Sequence, residues 1–319
     1  MTATARRFAK PAALCPGATL AVISPASAPK PELVERGMAE LEALGYRIKL
    51  GRHALASGPL YYAGSVKNRL EDLHAAFADT EVDGIICTRG GWGSAELLPH
   101  LDAELIRANP KAFIGYSDHT SLHTWFQNVA GLSSFYAPMV AADFARENGV
   151  DMVSWSHTFS GDSEWSVGAM DGLRVIQPGV AAGELLGGCI SILAASLGTP
   201  YAPQLDGSVL FLEDIGTKPY QWDRLLLHLR YAGKLDGVRG IVFGDMEQCV
   251  GEEEQLLLER AIRHGLRGFE GPVAIGLRCG HVHGPNRSLP LGVPVALDLS
   301  DTENPQMQFL EPAVSGNLS

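Results

Sequence analysis

The chain has 319 residues, enough for two domains at the usual size of roughly 150 residues each, and a core of that size needs neither disulfides nor metal to fold. Apolar residues make up 46% and charged residues 19%, which excludes intrinsic disorder. The 25 Lys and Arg against 36 Asp and Glu give a net charge of −11, the wrong balance for nucleic acid or an anionic membrane.

The stretch 1–15 is basic but has no apolar run behind it long enough for a signal peptide. No segment reaches the ~18 uninterrupted apolar residues of a membrane span, so a cytoplasmic protein is expected. Residues 19–24 (TLAVIS) form a short apolar run that Pro25 ends, a strand signal. Leu33, Val34, Met38, Leu41 and Leu44 follow at close to helical spacing, and Gly45 stops them. Strands are expected at 46–50, 84–88 (GIICT) and 112–115 (AFIG), alternating with helices at 66–77, from 94 to about 101, and at 120–129. This alternation implies an open, mostly parallel sheet with helices on both faces, whose ligands gather at the carboxyl ends of the strands.

From 146 to 179 the pattern weakens and Asp, Ser, Gly and His accumulate around Trp155 and Trp165. The expected division is therefore an N-terminal α/β domain over 1–146, a connection over 147–179 with one strand near 173–176, and a C-terminal domain over 180–319. In that last part helices are expected near 189–197, at 221–229 and at 252–264, with strands at 208–213 and 240–244, and short apolar segments at 273–277, 289–291 and 293–299 close the chain. Five widely spaced cysteines (Cys15, Cys87, Cys189, Cys249, Cys279) include no CxxC pair, and free thiols of this kind fit a reducing compartment.

Three segments put polar residues where a strand ends. In 114–119 (IGYSDH) a strand runs into Ser117 just before a helix, which lifts the hydroxyl above the sheet beside free helix N–H groups; alternatively Ser117 or Asp118 is a plain N-cap. In 88–94 (TRGGWGS) the glycines let backbone amides point into a cleft, although neither GxGxxG nor GxxxxGK[ST] is matched and a tight turn needs the same residues. In the second half, 210–214 (LFLED) ends a strand on two carboxylates, and 280–284 (GHVHG) supplies two imidazoles. Ser117, Glu213 and His281 thus offer a nucleophile, a carboxylate and a base. His119 and His123, four apart, with His264, His281 and His283, offer metal ligands instead, although no HEXXH or completing Cys or Asp spacing is present.

Taken together and in order, GYSD, then LED followed by Pro219-Tyr220 and Asp223-Arg224, then Gly-His ahead of Leu289-Pro290-Leu291-Gly292, resemble the LD-carboxypeptidase family of serine peptidases, which includes the microcin-immunity hydrolases. The likeness runs from 19 to about 298 and takes in 89–94 and 183–188 (GELLGG). It implies Ser117 as nucleophile, Glu213 as orienting carboxylate and His281 as base, with an oxyanion hole from the Gly91 and Asp118 amides. Arg89, Gly90 and Trp92 become candidates for holding substrate. The implied fold is an N-terminal α/β domain joined to a C-terminal α/β domain with a small β-barrel-like sheet, in a homodimer, with no cofactor and no metal. The implied substrate is a small peptide: the cytoplasmic murein tetrapeptide, losing its terminal D-alanine, or alternatively a peptidyl or aminoacyl adenylate; a catalytically inactive binding relative is the remaining alternative. The compact interval of 96 residues between Ser117 and Glu213 favours the murein peptide, because adenylate-cutting relatives carry a longer insertion with an aromatic that stacks on the base. After Gly187-Gly188 the family has Asn where this chain has Cys189, a much weaker hydrogen-bonding group.

Overall fold

The computed structural model describes residues 8–161, 165–246 and 248–316. Residues 1–7 of the stretch read for a leader, and 162–164 of the expected connection, lie outside the described residues. β1 (Thr19–Ile23), α1 (Pro31–Ala43), β2 (Arg47–Leu50), α2 (Val66–Ala78), β3 (Gly84–Cys87), α3 (Ala103–Ala108), β4 (Ala112–Gly115), α4 (Thr120–Trp125) and β5 (Ser134–Tyr136) form the first part. β1, β3 and β4 are buried at every position, as apolar strands covered on both faces must be. α1 starts with Pro at its first turn and turns Val34, Gly37 and Leu41 inward; α2 is capped by Ser65, whose side chain accepts the Asn68 N–H. The helix expected from 94 is a 3₁₀ segment, Ser94–His100, with Pro99 inside it. α4 runs on into a π-type turn, Phe126–Ala130.

The segment 147–179 holds more structure than one strand: α5 (Met152–Ser160), β6 (Ser166–Gly168) and β7 (Arg174–Gln177) all lie in it. Its polar residues are spent on local bonds that periodicity does not reveal. Asp151 caps α5 through the Ser154 N–H at 2.8 Å, and Asp171 accepts the Gly168 N–H at 2.7 Å. Trp155 and Trp165 are core residues: the Trp155 indole donates to the Tyr46 hydroxyl at 3.0 Å, and Trp165 stacks on Phe309 at 4.1 Å. Beyond them come β8 (Val180–Cys189), α6 (Ile190–Ala195), β9 (Val209–Glu213), α7 (Pro219–Tyr231), β10 (Gly240–Gly244), α8 (Gln255–Gly265), β11 (Val273–Leu277), β12 (Leu289–Leu291), β13 (Pro294–Asp298) and β14 (Gln306–Phe309).

Two sheets result. The first has six strands in the order β12-β5-β4-β3-β1-β2, parallel except for β12, which returns from the far end of the chain to pair antiparallel with β5. The second, expected as small and barrel-like, has eight strands in the order β6-β14-β13-β8-β9-β10-β11-β7, so β6 and β7 are its edges. Its centre, β8 to β11, is parallel and its flanks are antiparallel. β8 spans both: its first half pairs with β13, and Leu185 to Cys189 pair with β9.

One hydrophobic cluster fills the first sheet and continues into the second through Leu185, Val209, Phe211, Val242 and Leu277. A second cluster lies under α7 and α8 and is built on Trp222, Leu226, Leu229, Phe243, Leu258 and Ile262. Trp222 is fully buried there, edge-on to Phe243 at 5.8 Å. Trp222→Ala should lower the unfolding free energy by about 3–5 kcal/mol, because the cavity relaxes only partly; denaturant titration of the two proteins measures it, and a loss below about 1 kcal/mol would contradict this packing.

Candidate active site

Four parallel strands end on one region. β4 stops at Gly115 and leads through Tyr116 into Ser117, while β3 stops at Cys87 ahead of Arg89, Gly90, Gly91 and Trp92. From the second sheet, β9 ends on Glu213 itself, and β11 gives way to Cys279, Gly280 and His281. The carboxyl ends of such strands are where the sheet leaves its backbone groups and loops free for a ligand.

Ser117 has φ +65°, in the left-handed region. A residue with a Cβ pays roughly 1–2 kcal/mol for that conformation. The Ser117 N–H donates to the Tyr136 hydroxyl at 3.0 Å, and the chain then enters a 3₁₀ turn, Ser117–His119, that runs into α4. Gly90 makes room for the nucleophile candidate: a Cβ there would sit 2.9 Å from the Ser117 Cβ and 3.0 Å from its Oγ.

Glu213 is 2% exposed, and its carboxylate is met on both oxygens. Oε1 accepts the Tyr136 O–H at 2.5 Å; Oε2 accepts the backbone N–H of His281 at 2.9 Å and its Nδ1–H at 2.7 Å. Gly280, at φ +95°, permits this wrap, since a Cβ there would fall 2.5 Å from Oε2. Burial pushes the Glu213 carboxyl up, but the His281 charge and the donors from His281 and Tyr136 outweigh it and hold it below the ordinary value. Burial also disfavours the His281 imidazolium, yet the neighbouring Glu213 carboxylate prevails and raises it above its usual 6.5. With Nδ1–H held by Glu213, the neutral ring carries its free lone pair on Nε2. Tyr116 lies edge-on to His281 at 5.2 Å. The structure therefore brings Ser117, Glu213 and His281 into one cluster, with Tyr136 between them.

The glycine loop is fastened to the same turn. Asp118, fully buried, accepts the Ser94 N–H at 2.8 Å, and His119 bonds both Ser94 Oγ at 3.0 Å and the Arg89 carbonyl at 3.1 Å. Arg69, buried under the loop, donates to the Pro25 and Gly93 carbonyls and pairs with Glu96 at 2.5 Å. Trp92 is exposed and lines a cavity of about 200 Å³ with Thr120, Ser121, Ile192 and Leu193. Arg89 is exposed, its Nη2 3.8 Å from where a Gly91 Cβ would lie.

The histidines weighed as metal ligands have other work. His123 donates Nε2–H to the Gly115 carbonyl and accepts Ser134 Oγ–H on Nδ1, both at 2.8 Å. His119 is used on both nitrogens as described, and burial first, then the other ring, pushes it down to about 3; burial pushes His123 down to about 4. His264 and His283 are exposed, and no cluster of three or more metal-binding side chains occurs among the described residues. Cys189 is buried against Ser191 Oγ at 3.2 Å and Asp214 Oδ1 at 3.4 Å, and burial holds its thiol well above the ordinary value, which removes it as a nucleophile. Its backbone N–H donates to Thr120 Oγ1 at 3.0 Å, a second bond between the two halves of the site.

Two family profiles match the chain: the LD-carboxypeptidase N-terminal domain over residues 20–137 and the LD-carboxypeptidase C-terminal domain over residues 182–297. The chain belongs to the LD-carboxypeptidase family. Similar members include a probable murein peptide carboxypeptidase of Bacillus subtilis, 37% identical over 92% of each chain, and the microcin C7 self-immunity protein MccF of Escherichia coli, 27% identical over 83% of this chain and 85% of that one. Among solved structures, muramoyltetrapeptide carboxypeptidase from Oxalobacter formigenes superposes with a TM-score of 0.79 at 27% identity, covering 92% of this chain and 99% of that one. Family membership makes the chain a hydrolase of the carboxypeptidase kind. Among the described residues, no helix is long and apolar enough to cross a membrane.

Sequence reading missed Tyr136, which lies in a three-residue strand, Ser134–Tyr136, too short for any period to show. It also read the Asp118 side chain only as a possible helix cap, not as the acceptor of the Ser94 N–H. Burial raises the Asp118 carboxyl to about 6 against the donors from Ser94. A carboxyl raised on folding contributes full stability below its unfolded value of 3.8, and that contribution is lost as pH climbs through about 6. At about 1.4 kcal/mol per pH unit the loss is about 3 kcal/mol. Asp118→Asn should remove that much of the fall in stability between pH 4 and pH 6, measured by urea unfolding at each pH; parallel profiles for the two proteins would contradict it.

Proposed function

We propose that this protein is a serine LD-carboxypeptidase that removes the terminal D-alanine from murein tetrapeptide in the cytoplasm, working as a homodimer in peptidoglycan recycling. The observation that carries the catalytic assignment is the bonded series from the Ser117 N–H through Tyr136 and Glu213 to His281 Nδ1, set at the carboxyl ends of strands from both sheets. The substrate assignment draws on the murein peptide carboxypeptidases among the relatives.

In this reading Ser117 Oγ attacks the carbonyl carbon of the residue before the terminal D-alanine and passes its proton to His281 Nε2. The oxyanion that forms is met by the Gly91 and Asp118 amides. Collapse breaks the C–N bond, His281 gives the proton to the departing amine, and the shortened peptide stays as an ester on Ser117. Water, deprotonated by the same imidazole, then releases it. Glu213 remains ionised throughout and stabilises the imidazolium. Arg89, exposed beside Gly91, pairs with the carboxylate of the terminal residue, and Gly90 and Trp92 border it. Trp155 and Trp165 are 2% and 7% exposed, so neither presents a face to a nucleobase, which favours a murein peptide over an adenylate.

Ser117→Ala should reduce release of D-alanine from murein tetrapeptide by at least about 10³-fold while leaving the unfolding midpoint close to that of the unaltered protein. Mass spectrometry of the products decides it, and full turnover by the variant would overturn the serine mechanism. Because the base must be neutral and His281 is raised, kcat/KM should climb with pH through an apparent pKa above 6.5. An acid limb below 6.5 would contradict the Glu213–His281 pairing.

A further inference from the structure

We propose that Tyr136 is a positioning residue for the reaction: its single hydroxyl sets the nucleophile's turn and the orienting carboxylate in register across the two sheets. The proposal rests on the Ser117–Glu213–His281 reading above and adds a fourth group to it.

The hydroxyl is used in both directions. It accepts the Ser117 N–H at 3.0 Å and donates to Glu213 Oε1 at 2.5 Å. These two partners come from different sheets: Ser117 follows β4, next to which Tyr136 stands on β5, whereas Glu213 closes β9. Tyr136 is fully buried, and its ring is fixed by Tyr116 at 5.9 Å, His123 at 5.7 Å and Phe211 at 5.5 Å. Burial, then the adjacent Glu213 charge, pushes its phenol well above the ordinary value, so it stays a proton donor.

The bond to Ser117 occupies an N–H whose residue is held at φ +65°, and so steadies the turn that aims Oγ. The bond to Oε1 draws carboxylate charge away from Oε2, the oxygen that faces His281. Losing the hydroxyl thus has two effects. The Ser117 turn loosens, and charge concentrates on Oε2, which strengthens its hold on the imidazolium. Other ionisable groups around this pair are Asp214 just after β9, Asp143 from the turn after β5, Tyr116 just after β4, His123 on α4, and the buried thiols Cys189 and Cys279, none of which is altered by a substitution at 136.

The test uses the full chain and two variants, Tyr136→Phe and 3-fluorotyrosine at 136, which keeps the hydroxyl but makes it a stronger donor. Labelling of Ser117 by a fluorophosphonate is followed as a function of pH, so that the result does not depend on the peptide substrate. Tyr136→Phe should slow labelling by roughly 10- to 100-fold, the scale of a displaced reacting group, and move the acid limb to higher pH. The fluorinated protein should move that limb to lower pH, which also decides the matter if Tyr136→Phe yields no folded protein. A labelling rate and acid limb unchanged in either folded variant, or a slower rate with an unmoved limb, would overturn the proposal. Absence of label at Ser117 in the unaltered protein overturns the triad reading itself, and the role of Tyr136 with it.

Discussion

A carboxylate sealed from water has to be fully bonded, and the site is arranged around that requirement at Glu213. Its two oxygens take three donors, two from His281 and one from Tyr136. Removing any of them would leave an unpaired lone pair in a nearly dry place, at a cost of several kcal/mol for a buried charge. The need for donors fixes the loop after β11, because the His281 backbone must come close enough to bond Oε2. It also fixes the choice of residue at 280, where any Cβ would fall on the carboxylate. Through Tyr136 the same need reaches back to the Ser117 turn. The bonds that satisfy the buried carboxylate and the bond that holds the Ser117 turn thus meet at one hydroxyl.

The histidines show the opposite solution to burial. His119 and His123 are as deeply buried as Glu213, but each bonds a carbonyl and a hydroxyl, and both are driven to stay neutral. They brace the Ser117 turn from below without adding charge to it. Only His281 has a carboxylate partner, and it alone of the three is raised. Two imidazoles locked neutral beside one poised to take a proton is a division set entirely by partners, since the side chain is the same.

Much of this was legible from the order of residues. The buried strands β1, β3, β4, β9 and β10 are apolar runs with clear stops, and their ends carry the polar residues that matter. What could not be read was what long-range pairing creates. β5 and β12 are three residues each and exist as strands only because they pair with one another and with β4. β8 contains Gly183, Gly187 and Gly188, poor strand formers on propensity, and is kept extended by β9 and β13. The segment 147–179 looked like a connection because its helix and strands are short and its caps are polar. Ser117, Glu213 and His281 could be named as chemical types, but their meeting depends on those same pairings, and Tyr136 has no local signature at all.

The return of β12 to the first sheet has a consequence for biosynthesis. The sheet that carries Ser117 lacks its edge strand until residues 289–291 of the 319 have left the ribosome, and β5 with Tyr136 on it lacks one neighbour until then. His281 lies on the stretch that makes this crossing, between β11 of one sheet and β12 of the other. Contacts so distant along the chain close late and slowly. The approach of His281 to the Ser117 turn therefore waits on a crossing that follows the central strands of both sheets, so the bonded cluster is among the later contacts the chain can make.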